Sequence, residues 1–354
     1  MTKILEINPD NLYFYENDIK YAAEIIKAGG LVAFPTETVY GLGGDATNPK
    51  AAEAIFAAKG RPSDNPLIIH VANPRDAEAY AHTGELYYKL AERFMPGPLT
   101  VIMNARESVP LETRGGLSTV AVRCPSNQVA RMLIEESGVP IAAPSANISG
   151  SPSPTSAKHV IDDLYGKIDV IIDGGDSAFG VESTIVKIES DSTLTLLRPG
   201  SITVDELLCI ADVKIADAVT DKLPEGAVAL SPGMKYRHYA PKATLVLLDG
   251  DYRDIVAYIK QEGLDNTAII TYSDDYDDFC GEFSDSDVYV LGARDNSREQ
   301  AHHLFSVLRK VDKHNYSKIY APLPDKSGVG LALYNRMIRA AAHQVIDLRQ
   351  GRDG

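Results

Sequence analysis

The chain has 354 residues, 44% hydrophobic and 24% charged, with a formal net charge of −14. The length exceeds the ~100–200 residues usual for one domain, so two domains are expected, each able to bury a core. The composition is that of an ordinary soluble globular protein, and its acidic balance, with neither half basic, disfavours stable binding of nucleic acid through a positive face. Three cysteines, Cys124, Cys209 and Cys280, show no paired spacing. That argues against a disulfide framework or a zinc knuckle and fits a reducing cytoplasm. The opening MTKILEINPDNLYFYEND is broken by acids and does not read as a secretory signal, and no apolar run approaches the ~20 residues that span a bilayer.

In chain order, residues 19–28 (IKYAAEIIKA) space their apolar side chains as one face of a helix and stop at Gly29-Gly30. A strand, LVAF, follows, then PTETVYGLGGDA as a Gly-rich turn, AAEAIFAAK as a second helix and PLIIHV as a second strand. Further strands are expected at 99–103, 119–124, 140–145, 170–173, 183–188 and 193–198, with helices near 85–94, 126–137 and 155–164. This mixture over residues 1–210 points to an α/β domain with a mixed sheet. Residues 211–241, ending SPGMKYRHYAP, read as a linker. From 242 to 354, ATLVLL, TAIITYS, DVYVLG, SKIYAPL and QVIDL alternate with the helical patterns DYRDIVAYIKQ, SREQAHHLFSVLRKV and GLALYNRMIRAAAH. That regular alternation predicts a smaller, Rossmann-like parallel sheet. The acidic run DDYDDF reads as a solvated loop.

The chemistry-bearing residues cluster in the first domain. KGRPSDNPLIIHV sets Lys59, Arg61, Asn65 and His70 around two prolines that restrict the backbone, so a ligand-binding loop there would lose little entropy. Lys59 and Arg61 can meet an anion as a point charge and a planar fork. Taken alone, the segment is equally well an exposed basic turn. PTETVYGLGGDA offers the hydroxyls of Thr36, Thr38 and Tyr40, with glycines that permit close approach by a ligand. STVAVRCP places Arg123 at the end of an apolar strand, in register with Thr119, where it needs an anionic partner, either a structural carboxylate or a substrate. PSANISGSPSPTS carries Ser145 and Asn147 on a turn of small residues, FGVESTIVKI places Ser183 ahead of a strand, and LLRPGSI places Arg198 after one. Each arginine alone fits a structural ion pair as well as a ligand contact.

Several other sites are excluded. There is no G-x-x-x-x-G-K-[ST] and no G-x-S-x-G. Gly328 and Gly330 lack the third glycine of a dinucleotide fingerprint and read as a helix start, and the histidines show no H-E-x-x-H pattern.

The ordered set FPTETVYGLGGDA, KGRPSDNPLIIHV, MPGPLTVIM, STVAVRCP, PSANISGSPSPTS, ESTIVKI and LLRPG resembles the YrdC-like family. With SPGMKYRHYAP and the second α/β domain, the chain is similar to the long, two-domain L-threonylcarbamoyladenylate synthases of that family. The resemblance implies a twisted open mixed sheet around a large cleft. It also implies a nucleotidyltransferase that makes threonylcarbamoyl-AMP and pyrophosphate from L-threonine, bicarbonate or carbon dioxide and ATP, for tRNA modification. By the same resemblance Lys59, Arg61, Ser145 and Asn147 surround the phosphates, and Asn65, Thr119, Arg198 and the linker's Tyr236 join the nucleotide side. Thr38, His70, Arg123, Ala143 and Ser183 hold threonine, Arg123 on its carboxylate. No protein metal site is implied, only Mg2+ carried with ATP. The segment Ser231–Pro241 is expected to act as a lid. The product would pass to the tRNA threonylcarbamoyl-transfer machinery in the cytoplasm. An RNA-binding module and a carbamoyl-transfer module are the alternatives; the acidic balance weighs against the first.

Overall fold

The computed structural model describes residues 1–221, 230–231, 239–263 and 265–349. Two compact units result, Met1–Ser149 with Ser153–Tyr236, and Gly150–Pro152 with Arg237–Gly354. Among the described residues no helix is long and apolar enough to cross a membrane.

The first unit is built on eleven strands: β1 (Lys3–Glu6), β2 (Val32–Phe34), β3 (Gly41–Asp45), β4 (Ile68–His70), β5 (Leu99–Asn104), β6 (Thr119–Arg123), β7 (Ile141–Ala142), β8 (Val170–Asp173), β9 (Thr184–Ser190), β10 (Thr193–Arg198) and β11 (Asp212–Ile215). Their order across the sheet is β1-β8-β2-β3-β7-β4-β6-β5-β9-β10-β11. Parallel and antiparallel pairs are mixed, β4 running parallel to β6 and β5 antiparallel to it. The central strands are apolar on both faces, as in β2 (VAF) and β8 (VII), because helices cover the sheet. The helix Glu16–Lys27 turns Ile19, Ala22, Ala23 and Ile26 inward, at the spacing of one helical face, into a cluster with Val129, Ala130, Leu133 and Ile134 of the helix Gln128–Ser137. The Asn127 side chain caps the second helix at Ala130 N, and Gly138, at φ 62°, ends it. Each large aliphatic side chain buried here contributes roughly 1.5–3 kcal/mol.

Three sequence expectations need correction. GLGGD, read as part of a turn, is strand β3, antiparallel to β2 and β7. Glycine in this strand makes room for bulk on its neighbours: a Cβ on Gly43 would lie 2.7 Å from the Phe34 ring and 2.6 Å from Ile141. The linker reading begins too early, because Asp212–Ile215 adds β11 parallel to β10, and Ala218 and Val219 are buried. The N-terminal strand β1, which had no counterpart in the sequence reading, pairs with β8.

The second unit carries five parallel strands, β12 (Thr244–Asp249), β13 (Thr267–Thr271), β14 (Val288–Val290), β15 (Lys318–Pro322) and β16 (Val345–Asp347), in the order β14-β13-β15-β12-β16. Gly330 does open a helix, Gly330–Ala340. The acidic run is helical rather than a loop: Ser273–Asp275 is a 3-10 turn and Tyr276–Glu282 a helix. Phe279, inside the run, buries against Phe283 and Tyr252 and draws the segment onto the sheet. Arg294 offsets its charge with a backbone N–H to Asp274 and a guanidinium contact to Asp275.

Candidate active site

The sheet register assembles one polar row. His70 on β4 lies beside Arg123 on β6, and Arg123 beside Thr100 on β5. Thr100 Oγ1 is 2.8 Å from Ser183 Oγ, immediately before β9. Arg198, at the end of β10, donates from Nε to Ser183 O and from Nη2 to Ser183 Oγ, both at 3.0 Å. His70, Arg123 and Thr100 share a face because residues paired in register on neighbouring strands point to the same side of the sheet. Ile68, Ala121, Ile102, Ile185 and Leu197, on the same strands, form an apolar cluster.

Arg123 is 4% exposed and meets Glu37, 7% exposed, through Nη2 and Oε1 at 2.7 Å. The carboxylate that such a buried arginine requires is therefore present in the chain, three residues after the strand β2. Sequence reading passed over Glu37 between the hydroxyls of Thr36 and Thr38, although a lone acid in that apolar stretch was the available signal. Thr36 Oγ1 donates to Val39 O at 2.5 Å and accepts from the N–H groups of Thr38 and Val39. The Thr38 hydroxyl, 2.9 Å away, receives no proton from Thr36 Oγ1, whose own goes to Val39 O, and keeps its lone pairs for a ligand. Burial, and secondarily the Arg123 charge, push the His70 imidazole down to about 3, so it is neutral at physiological pH. Its Nδ1 faces Ile141 O at 3.3 Å. A proton there leaves Nε2 as an acceptor.

The phosphate-binding candidates gather on neighbouring loops. Lys59 closes the helix Pro49–Lys59, whose cap Gly60, at φ 62°, turns the chain away. The buried ammonium donates to Ser145 O, to Asn147 O at 2.6 Å and to Asn147 Oδ1 at 3.3 Å. Ser145 Oγ donates to Asn147 Oδ1 at 2.5 Å, and Ser149 N to Lys59 O at 2.9 Å. The small-residue turn is thus folded around the lysine. Arg61 Nη2 holds the carbonyls of Asn65 and Pro66 at 3.2 and 3.3 Å. Asn65 is 1% exposed, and both its side-chain Oδ1 and Nδ2 lack a hydrogen-bond partner. A buried amide in that state fits a ligand that supplies both a donor and an acceptor.

Thr119 is on the face of the polar row, but four residues from Arg123, which at ~3.3 Å per residue is roughly 13 Å. Extending the β4–β6 register places it next to Pro66, hence at the Arg61–Asn65 end. Ala143 packs its methyl in the core with Phe34 and Ile141, so only its main chain can meet a ligand. Tyr236, with Lys235, Arg237 and His238 of the expected lid, lies outside the described residues. Tyr239 is described: it has φ 63° and stacks on Phe305 with centroids 5.2 Å apart. Among the described residues no three His, Cys, Asp or Glu side chains are grouped to hold a metal ion. The oxygens that Lys59 Nζ meets include the carbonyls of Ser145 and Asn147 and the Asn147 side-chain amide.

Residues 24–200 match the family model described as telomere recombination, Sua5_yciO_yrdC, and residues 202–342 match the threonylcarbamoyl-AMP synthase C-terminal domain. A threonylcarbamoyl-AMP synthase of Pyrococcus abyssi is 45% identical over 93% of this chain and 95% of its own length. One of Bacillus subtilis is 40% identical over 95% and 96%. The crystal structure of P. abyssi Sua5 complexed with L-threonine superposes with a TM-score of 0.87 at 42% identity, covering 98% of this chain and 99% of that one. Escherichia coli YciO, at 25% identity and a TM-score of 0.51, covers 56% of this chain and 96% of its own.

Proposed function

Because this chain belongs to the threonylcarbamoyl-AMP synthase family, in its two-domain form, we infer that it joins L-threonine, bicarbonate or carbon dioxide and ATP into threonylcarbamoyl-AMP, releasing pyrophosphate. The observation that carries this reading is the pairing, in one unit, of a polar row built for a small zwitterion with a loop cluster that presents Lys59 and Arg61 to an anion. The roughly 13 Å between Thr119 and Arg123, estimated from strand rise, suits an amino-acid end and a nucleotide end of one cleft.

Threonine docks with its carboxylate on Arg123, while Thr38 and His70 Nε2 accept its protons and Ser183, fixed by Thr100 and Arg198, closes the other side. The Asn65 amide reads the nucleotide, beside Arg61 and Thr119. The threonine amine forms a carbamate whose oxygen attacks the α-phosphorus, and the P–O bond to pyrophosphate breaks. Lys59 and Arg61 neutralise charge that develops on the phosphates, and Ser145 and Asn147 fix Lys59, so the protein's contribution is positioning and electrostatics. Bound with ATP, Mg2+ would screen the charge of the phosphates beside Lys59 and Arg61. Arg198 contributes to the nucleotide side through the Ser183 contact they share. The labile product is handed to the tRNA threonylcarbamoyl-transfer machinery in the cytoplasm.

Incubation with ATP, bicarbonate and each amino acid in turn tests the reading. Pyrophosphate and an AMP-containing product are expected only with threonine and bicarbonate together. ADP and phosphate as threonine-dependent products would overturn it.

A further inference from the structure

Glu37 has more capacity than its ion pair uses. Only Oε1 contacts Arg123; Glu37 Oε2 and Arg123 Nε are both buried and have no hydrogen-bond partner. Leaving two such atoms dry and unmatched is costly unless a ligand completes them. The carboxylate is not free to turn away, because its backbone carbonyl accepts from Phe179 N at 2.8 Å and the Thr36–Val39 turn fixes its other flank.

Charge points the same way. Arg123 and Glu37 sum to zero before any ligand arrives, whereas an arginine kept for a plain carboxylic acid is better left without an internal anion. A zwitterion adds no net charge and can set each of its ends against the opposite sign, which is how buried charges are made tolerable. The nearby acceptors of the row are uncharged: His70 is neutral, and Thr38, Thr100 and Ser183 are hydroxyls. None of them can balance an ammonium.

We propose that Glu37 Oε2 is the acceptor for the α-ammonium group of the amino-acid substrate, while Oε1 orients Arg123 to receive the α-carboxylate. Glu37 is then the residue that makes the pocket select α-amino acids over α-hydroxy acids of the same shape. The inference rests on the reading of this pocket as the threonine site, and that reading is tested separately by the pyrophosphate assay on the unaltered enzyme.

The test is calorimetric binding of L-threonine and of 2,3-dihydroxybutanoate, its counterpart with hydroxyl in place of the amine, to the full-length protein and to Glu37→Gln. The unaltered protein is expected to prefer threonine by roughly 10- to 100-fold, the range of one charged hydrogen bond. In Glu37→Gln that preference should shrink to within about threefold, through loss of threonine affinity alone, with the dihydroxy acid bound about as before. A folded Glu37→Gln protein that weakens both ligands equally and keeps the preference would overturn the proposal and leave Glu37 as a prop for Arg123. Should Glu37→Gln fail to fold, Glu37→Asp decides: an unchanged preference overturns the proposal and a partial loss supports it.

Discussion

Lys59 and Arg123 are both buried cations of the first unit, yet the chain holds them by different means. Lys59 is gripped by carbonyl and amide oxygens of Ser145 and Asn147, which carry no formal charge. Arg123 faces the carboxylate of Glu37. Carbonyl and amide dipoles orient a cation through directed acceptors. A carboxylate cancels the arginine, which leaves directional hydrogen bonding and little net field. The lesson is that the fold sets the kind of partner each buried cation meets as well as the placement of its side chain.

Removing Lys59 takes away the cation of the proposed phosphate end and should have the largest effect. Lys59→Ala is expected to lower the rate of pyrophosphate formation by ~100- to 1000-fold, as for loss of a preorganised electrostatic group, with threonine affinity nearly unchanged. Comparable loss of threonine binding in a folded variant would erase the distinction between the two ends.

Arg123→Ala should act on the other end. Threonine affinity is expected to fall by roughly 10- to 150-fold, the equivalent of ~1.5–3 kcal/mol for a charged hydrogen bond, while ATP affinity stays within a few fold. Stability should fall too, by about 3–5 kcal/mol, because Glu37 is left buried without its cation. Adding Glu37→Gln to Arg123→Ala should restore part of that stability without restoring threonine binding, which thermal melts and calorimetry can separate.

His70 sharpens the comparison most finely, as a third buried basic group, one that carries no charge. The unfolded chain takes up a proton on this imidazole near pH ~6.5, the native protein only at about 3. Its contribution is therefore neutral above ~6.5 and erodes stability as pH falls through that window, at up to ~1.4 kcal/mol per pH unit. Denaturant titrations at about pH 7 and about pH 5 should show a shallower loss in His70→Gln than in the unaltered protein. Equal slopes would mean that the imidazole is not kept neutral by burial.

Much of the candidate site could be read from local sequence, and the exceptions share a cause. Lys59, Arg61, Asn65 and His70 stood out because prolines and an apolar strand bracket them within a dozen residues. The helix faces of 16–27 and 128–137 were visible as periodicity. Glu37 was not, since its importance depends on Arg123, 86 positions away, and no local pattern announces such a pairing. Strand β3 was hidden by its glycines, which are turn formers by habit and are tolerated in a strand only because Phe34 and Ile141 need the space. The helix 276–282 was hidden by its aspartates, whose solvated look outweighed the single buried Phe279. Strand β11 is amphipathic and short, with most of its residues exposed, and only its neighbour β10 defines it.

The pairing of β1 with β8 sets a schedule for synthesis. Lys3 lies opposite Val170, so the first strand has no partner until nearly half the chain has left the ribosome. At ~5–20 residues per second that interval is roughly ten to thirty seconds. Throughout it, KILE must neither aggregate nor bind a wrong edge, and β2, which has β3 on one side, keeps its other edge open for β8. The charges of Lys3 and Glu6 at the two ends of the waiting strand are placed where a nascent segment most needs a guard against premature association.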